Sequence, residues 1–430
     1  MTTSLSPLLT LLFFSLAQGL NPKCDKPDRG STLQVLHVHS PCSPFRPSTP
    51  LSWEESVLQM ESKDQWRLQY LSSLVAKKSV VPIASGRSIL QSPTYIVRAK
   101  IGTPAQTMLM AVDTSNDAAW IPCTGCVGCS STVFDSTSST TFITLGCDAA
   151  QCKQVPNPTC GGSVCNFNMT YGGSTIAAKL SQDTMTLATD AIPGYAFGCI
   201  QTATGSSVPP QGLLGLGRGP MSLLSQTQSL YMSTFSYCLP SYKALNFSGS
   251  LRLGPVGQPK TIKYTQLLSS PRRPSLYYVN MIGIMVGSRV VNIPPSALAF
   301  NSATGAGTIF DSGTVYTRLV QPAYIALRDA FRARLGNATI TSLGGFDTCY
   351  TVSVKVPTIT FMFTGMNVTL PLDNFLIHSS SGSTTCLAMA AAPDNVNSVL
   401  NVIANWQQQN HRVLYDVPNS RLGVARERCS

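Results

Sequence analysis

Two short segments of this 430-residue chain have the residue types for hydrolytic chemistry: Ala111-Val112-Asp113-Thr114-Ser115-Asn116 and Ile309-Phe310-Asp311-Ser312-Gly313-Thr314. Each carries an apolar run into an aspartate and then turns on small or hydroxyl residues. Either motif alone means little, because Asp-Ser-Gly is commonly a solvated turn. The context repeats, however: Gly212 to Gly217 follows the first aspartate and Val402-Ile403-Ala404-Asn405 the second, at similar intervals. Two duplicated lobes, each offering one aspartate on a tight turn, are what a two-carboxylate site on a twofold axis requires.

Two carboxylates held close cannot both ionise cheaply, so one stays protonated and the other acts as a base. Between them a water molecule becomes the nucleophile. The ionised group takes its proton, and the protonated group hydrogen-bonds the developing oxyanion. The dyad titrates as a unit, so neither proton is assigned to Asp113 or Asp311 from sequence. This chemistry calls for no cofactor, no metal and no covalent intermediate. Gly313 suits a loop whose backbone N–H groups must approach the carboxylate. The hydroxyls of Thr114 and Ser312 are placed to hydrogen-bond across the lobe boundary and hold the two loops rigid.

The elements that position these loops read as strands. Hydrophobic residues make up 43% and charged residues 11%, with 32 Gly and 29 Pro, a balance that favours short strands and many turns. Strands are expected over Tyr95 to Ile101, Met108 to Val112 and Ile359 to Phe363, and helices over Gln321 to Leu335 and Met221 to Leu230. The fold class is mostly β. The net charge of +11 is diffuse and no nucleic-acid motif accompanies it, so no nucleic-acid partner is expected.

The first 92 residues have a different texture. An apolar run from Leu8 to Leu16 followed by Ala17-Gln18-Gly19 reads as a signal peptide over 1–19. It is too short to span a bilayer, and no later apolar stretch is long enough, so a soluble, non-membrane product is expected. Residues 20–92 read as a prosegment. They hold a Pro-rich stretch from Pro41 to Pro50 and a helix-favouring one from Trp53 to Lys78, with Leu58, Trp66, Tyr70, Leu71 and Leu74 as a candidate apolar stripe. Lys77-Lys78 and Ser85-Gly86-Arg87 offer places for processing; the plain alternative is a helical decoration that is never removed. Fourteen cysteines on a secretory route point to disulfides. Cys123, Cys126 and Cys129 have zinc-like spacing, but no His lies near them. Asn168, Asn246, Asn337 and Asn367 each open a glycosylation triplet.

From about residue 95 to 430 the chain resembles the pepsin-like aspartic peptidases, specifically the cysteine-rich plant branch typified by nepenthesins and nucellin-like proteins. The stretches that carry the resemblance are those around both aspartates, Trp120, Tyr171-Gly172-Gly173-Ser174-Thr175, Gly212 to Gly217, Gln407 to Asn410 with Tyr415-Asp416, and Arg421-Leu422-Gly423. It implies a bilobal fold with an N-terminal lobe over 93–275 and a C-terminal lobe over 276–430. It further implies a secreted, monomeric aspartic endopeptidase that takes polypeptides in extended form, in the cell wall, the extracellular fluid or the vacuole. Asp113 and Asp311 would be catalytic, and Tyr171 would sit at the tip of a mobile flap with Trp120 beneath as a hydrogen-bond partner. The implied disulfides are Cys123–Cys126, Cys129–Cys199, Cys147–Cys165, Cys152–Cys160, Cys238–Cys429 and Cys349–Cys386.

Several positions depart from the family pattern. The first loop has Ser115 and Asn116 where Gly and Ser are usual. Ser115 fits only if its backbone is allowed to an L-residue, and Asn116 puts an amide in place of a hydroxyl. The flap lacks the acidic residue of Tyr-Gly-Asp-Gly, and Ala404 stands for a usual Gly, adding a methyl under the first loop. The competing function is a pepsin-fold binding protein, such as an inhibitor of microbial cell-wall glycosidases. A glycosidase acid and base pair ranks last, because no sugar-specific feature flanks the loops.

Overall fold

The computed structural model describes Cys24 and residues 28–73, 95–241, 249–379, 383–393 and 399–429. The signal-peptide reading, the two processing stretches, Leu74 and Asn246 lie outside the described residues.

The apolar-run-then-turn pattern folds into the same three-strand arrangement twice. In the first half, β1 (Thr32–His37), α1 (Trp53–Ser73) and β2 (Tyr95–Ile101) precede β3 (Gln106–Asp113), which ends on the first aspartate, and β4 (Trp120–Val127). The hairpin β5 (Val164–Tyr171) and β6 (Ser174–Leu187) leads to β7 (Asp190–Thr204) and β8 (Leu213–Gly215). β8 runs parallel to β3, with Gly215 opposite Asp113, and antiparallel to β4. After β9 (Thr234–Cys238) and β10 (Gly249–Leu253) the arrangement repeats. β11 (Gly307–Phe310) ends just before the second aspartate, and β12 (Thr317–Leu319) and α2 (Gln321–Arg332) follow it. β13 (Leu400–Ile403) lies parallel to β11 and antiparallel to β12. The molecule is mostly β and bilobal, with few helices, of which the 21-residue α1 is the longest among the described residues.

A sheet beneath both lobes joins them: β9 pairs with β10 and with β14 (His411–Asp416). β1 is a member of this sheet, pairing antiparallel with β10 and with β2. Its inward residues Leu33 and Val35 are buried in the main core, which is continuous across the two halves.

The expected strands at Tyr95 and Ile359 match, but both helix expectations are corrected. α2 stops at Arg332, and the chain reverses through Gly336 at φ +63, a conformation that suits glycine. Met221 to Leu230 becomes two single turns, Leu223–Gln226 and Gln228–Tyr231. They are broken at Thr227, whose hydroxyl donates back to the Leu223 carbonyl at 2.6 Å.

Seven disulfides close the chain, and four of the six implied pairings are corrected. The bonds are Cys24–Cys42, Cys123–Cys199, Cys126–Cys129, Cys147–Cys160, Cys152–Cys165, Cys238–Cys429 and Cys349–Cys386. The parallel pairing of β4 with β7 brings Cys123 beside Cys199, leaving Cys126, near the end of β4, and Cys129, just beyond it, for each other. Cys152 and Cys165 are both buried in one apolar cluster, whereas Cys160 lies outside on the exposed strand edge.

Candidate active site

The two aspartate loops meet where the lobes meet. Asp113 and Asp311 are fully buried, as are Thr114 and Ser312 beside them. The Thr114 N–H donates to Ser312 Oγ at 3.2 Å and the Ser312 N–H to Thr114 Oγ1 at 3.0 Å, a reciprocal pair that locks one loop onto the other. Around each carboxylate the pattern is shared. The N–H two residues on donates to Oδ1, from Ser115 at 2.8 Å and from Gly313 at 3.2 Å. The side chain three residues on donates to Oδ2, from Asn116 Nδ2 at 2.8 Å and from Thr314 Oγ1 at 2.6 Å. Ser115 keeps a negative φ, so its Cβ is accommodated without strain. Gly313 is required by close approach: a Cβ there would come within 2.5 Å of Arg67 Nη2 and 3.0 Å of Asp113 Oδ1.

Arg67, on α1, is the residue that sequence reasoning missed. Its Nη1 donates to Asp113 Oδ2 at 2.7 Å and its Nη2 to Asp113 Oδ1 at 2.6 Å, a two-pronged contact of the kind guanidinium makes best. The same Nη2 reaches Asp311 Oδ1 at 3.0 Å and also donates to Ser115 Oγ. The guanidinium thus sits between the two carboxylates, with the Tyr70 and Tyr171 rings 5.8 and 5.7 Å away. Burial alone would push the Asp113 carboxyl up. The charge and hydrogen bonds of Arg67, helped by the Ser115 N–H and the Asn116 amide, hold it below the ordinary carboxylate range.

α1 begins at a capping box. The Ser52 hydroxyl accepts the Glu55 N–H at 3.1 Å, and the Glu55 carboxylate accepts the Ser52 N–H at 2.8 Å. The helix buries Val57, Met60, Glu61, Asp64, Arg67, Leu68 and Leu71, a continuous i, i+3, i+4 stripe with three charged members. The stripe proposed from sequence is therefore corrected: Leu71 belongs to it, but Leu58 is exposed, and the charged residues lie on the inner face because each has a partner. Asp64 accepts the Val315 and Tyr316 N–H groups, both at 2.6 Å, and Glu61 pairs with Arg318 at 3.1 Å. Burial outweighs the Arg318 charge and these two N–H bonds and raises the Asp64 carboxyl to about 7. Leu68 and Leu71 pack with Tyr278, Ile309 and Val402.

Tyr171 ends β5, and Gly172 at φ +55 turns the hairpin there. Its hydroxyl donates to Asp113 Oδ2 at 3.1 Å rather than meeting Trp120. The two rings pack edge to face at 5.3 Å, and the buried Trp120 Nε1 has no hydrogen-bond partner. The indole N–H can only donate, so the hydroxyl gives its hydrogen to the carboxylate. Ala404 is buried with its N–H on Thr317 Oγ1 at 3.1 Å, and the adjacent Asn405 Nδ2 donates to the Ser312 carbonyl at 2.9 Å. The segment therefore supports the second loop, which corrects its assignment to the first. Asn168, Asn337 and Asn367 are exposed, the first on the outer side of the hairpin. Among the described residues no group of His, Cys, Asp or Glu could hold a metal, and no helix is long and apolar enough to cross a membrane.

Residues 95–255 match the family model described as xylanase inhibitor N-terminal, and residues 276–426 the one described as xylanase inhibitor C-terminal. Among named relatives, "Aspartyl protease AED3" of Arabidopsis thaliana is 53% identical, over 98% of this chain and 98% of its own. "Aspartyl protease 25" of Oryza sativa subsp. japonica is 46% identical, over 93% of this chain and 94% of its own. "Aspartic proteinase nepenthesin-1" of Nepenthes gracilis is 35% identical, over 78% of each. The solved structure described as "Crystal structure of edgp" superposes with a TM-score of 0.62 at 21% identity, covering 77% of this chain and 91% of that one. The basic 7S globulin of soybean gives 0.62 at 20% identity, covering 77% and 92%. At these identities the structures establish the shared fold.

Proposed function

From the premise that the chain belongs to the plant branch of pepsin-like aspartyl proteases, we propose that it is a secreted aspartic endopeptidase made as a zymogen. In this reading Asp113 and Asp311 are the catalytic pair, and residues 20–92 are the prosegment that keeps them silent. The observation that carries it is that one guanidinium reaches both carboxylates, each held by a matching loop from its own lobe. Carboxylates that share one cation at hydrogen-bond distance are close enough to share one water once that cation leaves.

With the cleft cleared, the ionised aspartate takes a proton from water as its oxygen bonds the peptide carbonyl carbon. The other aspartate gives its proton to the carbonyl oxygen, forming a gem-diol. The first then passes its proton to the nitrogen as the C–N bond breaks, and the second recovers one from the diol. The burial and reciprocal loop contacts of the pair supply the preorganisation this needs. Tyr171 is the flap residue, freed to close over substrate when Arg67 departs. Leu68 and Leu71 mark apolar ground that an extended polypeptide substrate would take over. Fourteen cysteines joined in seven bonds, and exposed triplets at Asn168, Asn337 and Asn367, fit passage through an oxidising secretory route to the cell wall or vacuole.

The second reading is a binding protein that inhibits microbial cell-wall glycosidases, and what raises it is the wording of the two family models. A paired assay separates the readings. Acid-treated, processed protein is expected to digest an unfolded protein substrate, with pepstatin inhibition, and to leave xylanase activity unchanged. Xylanase inhibition without peptide cleavage would replace the first reading with the second.

A further inference from the structure

The two carboxylates share one pattern of loop donors, a backbone N–H two residues on and a side chain three residues on, and the chemistry of the second donor differs between the lobes. Three residues after each aspartate a side chain donates to Oδ2, and in the C-terminal lobe it is the hydroxyl of Thr314 at 2.6 Å. In the N-terminal lobe it is the amide of Asn116 at 2.8 Å. A hydroxyl can donate to a carboxylate or turn and accept from a carboxylic acid, whereas an amide NH2 only donates. A proton on Asp311 Oδ2 is therefore accommodated by rotating the Thr314 hydroxyl. One on Asp113 Oδ2 finds no acceptor in the Asn116 NH2, and meets one there only if the whole amide turns over to present its Oδ1.

The other contacts reinforce the difference. Once Arg67 is gone, Asp113 still receives the Ser115 N–H at 2.8 Å and the Asn116 amide at 2.8 Å. Asp311 keeps the longer Gly313 N–H at 3.2 Å and the reversible Thr314 hydroxyl. Asn116 is 5% exposed, so water does not compete for its amide.

We infer that Asn116 is a positioning residue that breaks the symmetry of the dyad: its amide pins the negative charge on Asp113 and leaves the shared proton on Asp311. Asp113 is then the base that takes the proton from water, and Asp311 the acid that gives its proton to the carbonyl oxygen. This inference rests on the peptidase reading, and it assigns the two roles which that reading leaves open.

The experiment is the pH profile of kcat/KM for processed enzyme, whose acid limb reports ionisation of the free dyad. Wild type is compared with Asn116→Ser, which restores a hydroxyl, and Asn116→Ala, which removes the donor. The acid limb is expected to rise in the order wild type, Asn116→Ser, Asn116→Ala, by about half to one pH unit in total, the scale of one charge-assisted hydrogen bond weakened and then lost. The alkaline limb should move less. A role confined to packing would lower kcat in both variants without displacing the limb, and superimposable profiles would overturn the assignment. So would an acid limb that falls in Asn116→Ser. If the alanine variant does not fold, the serine variant carries the comparison alone. Absence of cleavage by wild type would remove the peptidase reading itself, and with it this inference; cleavage with an unmoved limb removes only the inference.

Discussion

At the scale of single residues, the site is governed by how a buried charge finds partners. Arg67 is 5% exposed and satisfied by two carboxylates, so replacing it leaves both carboxylates buried without their counter-charge. Arg67→Met is expected to weaken docking of α1 by about 3–5 kcal/mol, the usual cost of breaking a buried pair from one side. Full-length Arg67→Met should convert to the short form at a higher pH than wild type, read as band loss on a gel across a pH series. Unchanged conversion would mean that Arg67 contributes nothing to the proposed latency. Gly313→Ala would press a methyl within 3.0 Å of Asp113 Oδ1 even after α1 leaves, and should lower kcat of the processed enzyme while its melting temperature stays near wild type. Asp113 and Asp311 were legible in the sequence because duplication gives each motif a second witness. Arg67 was not, because nothing local distinguishes it from a solvated arginine; its meaning comes from contacts 46 and 244 residues away.

At the scale of elements, α1 and β1 are held by groups that titrate, and the signs differ. His37, on β1, is buried and its Nδ1 accepts the His39 N–H at 3.1 Å, a bond that protonation there destroys. Burial, His39 and Lys63 push the His37 imidazole well below its ordinary value, and burial with Lys63 and Arg46 takes His39 to about 4. The cavity where His39 and Lys63 meet is lined by Val38, Phe45, Pro209 and other uncharged residues, with no acid among them. Beside it Tyr95 packs on His37, and Asp64 is the neighbour that favours the charge on Lys63. A histidine whose value is lowered in the docked state supports docking above about 6.5 and loses that support as pH falls toward its docked value. Asp64, raised to about 7, acts in the opposite sense and favours docking as pH falls below that. Lys63, lowered to about 8, is charged throughout the acid range. Two histidines against one aspartate leave a net loss of docking between pH 6.5 and 4, and Asp113 adds to it below its ordinary value of about 3.9. His37→Gln with His39→Gln should therefore shift the midpoint of α1 release, followed by hydrogen exchange of α1 peptides, to lower pH. A midpoint that stays in place would assign acid release to the carboxylates alone. The helix was foreseen, but its inward face was not. A stripe sought among apolar residues passes over Glu61, Asp64 and Arg67, which are buried only because the cleft supplies partners.

At the scale of the whole molecule, the sheet under both lobes and its outermost staple decide whether the two aspartates meet. Cys238–Cys429 closes a loop of 191 residues and ties β9 to the chain end beyond β14. Replacing both cysteines by serine should cost about 5 kcal/mol by loop-closure entropy, seen as a fall in denaturant midpoint at neutral pH. An unchanged midpoint would show that the sheet alone holds the lobes. The bilobal architecture was readable from repeated motif order and turn-rich composition. The cysteine pairing was not, because spacing carries no register: only the parallel alignment of β4 with β7 selects Cys199 for Cys123. The central claim is that both lobes contribute one carboxylate to one hydrolytic centre. It is tested most directly by the rate at which acid-processed wild type, Asp113→Asn and Asp311→Asn cleave an unfolded protein between pH 2 and 7, with termini identified by mass spectrometry. The account predicts pepstatin-sensitive cleavage by wild type and a loss of about a hundredfold or more in each variant. A folded, processed wild type that is inert across that range, or a single variant that retains full activity, would contradict it.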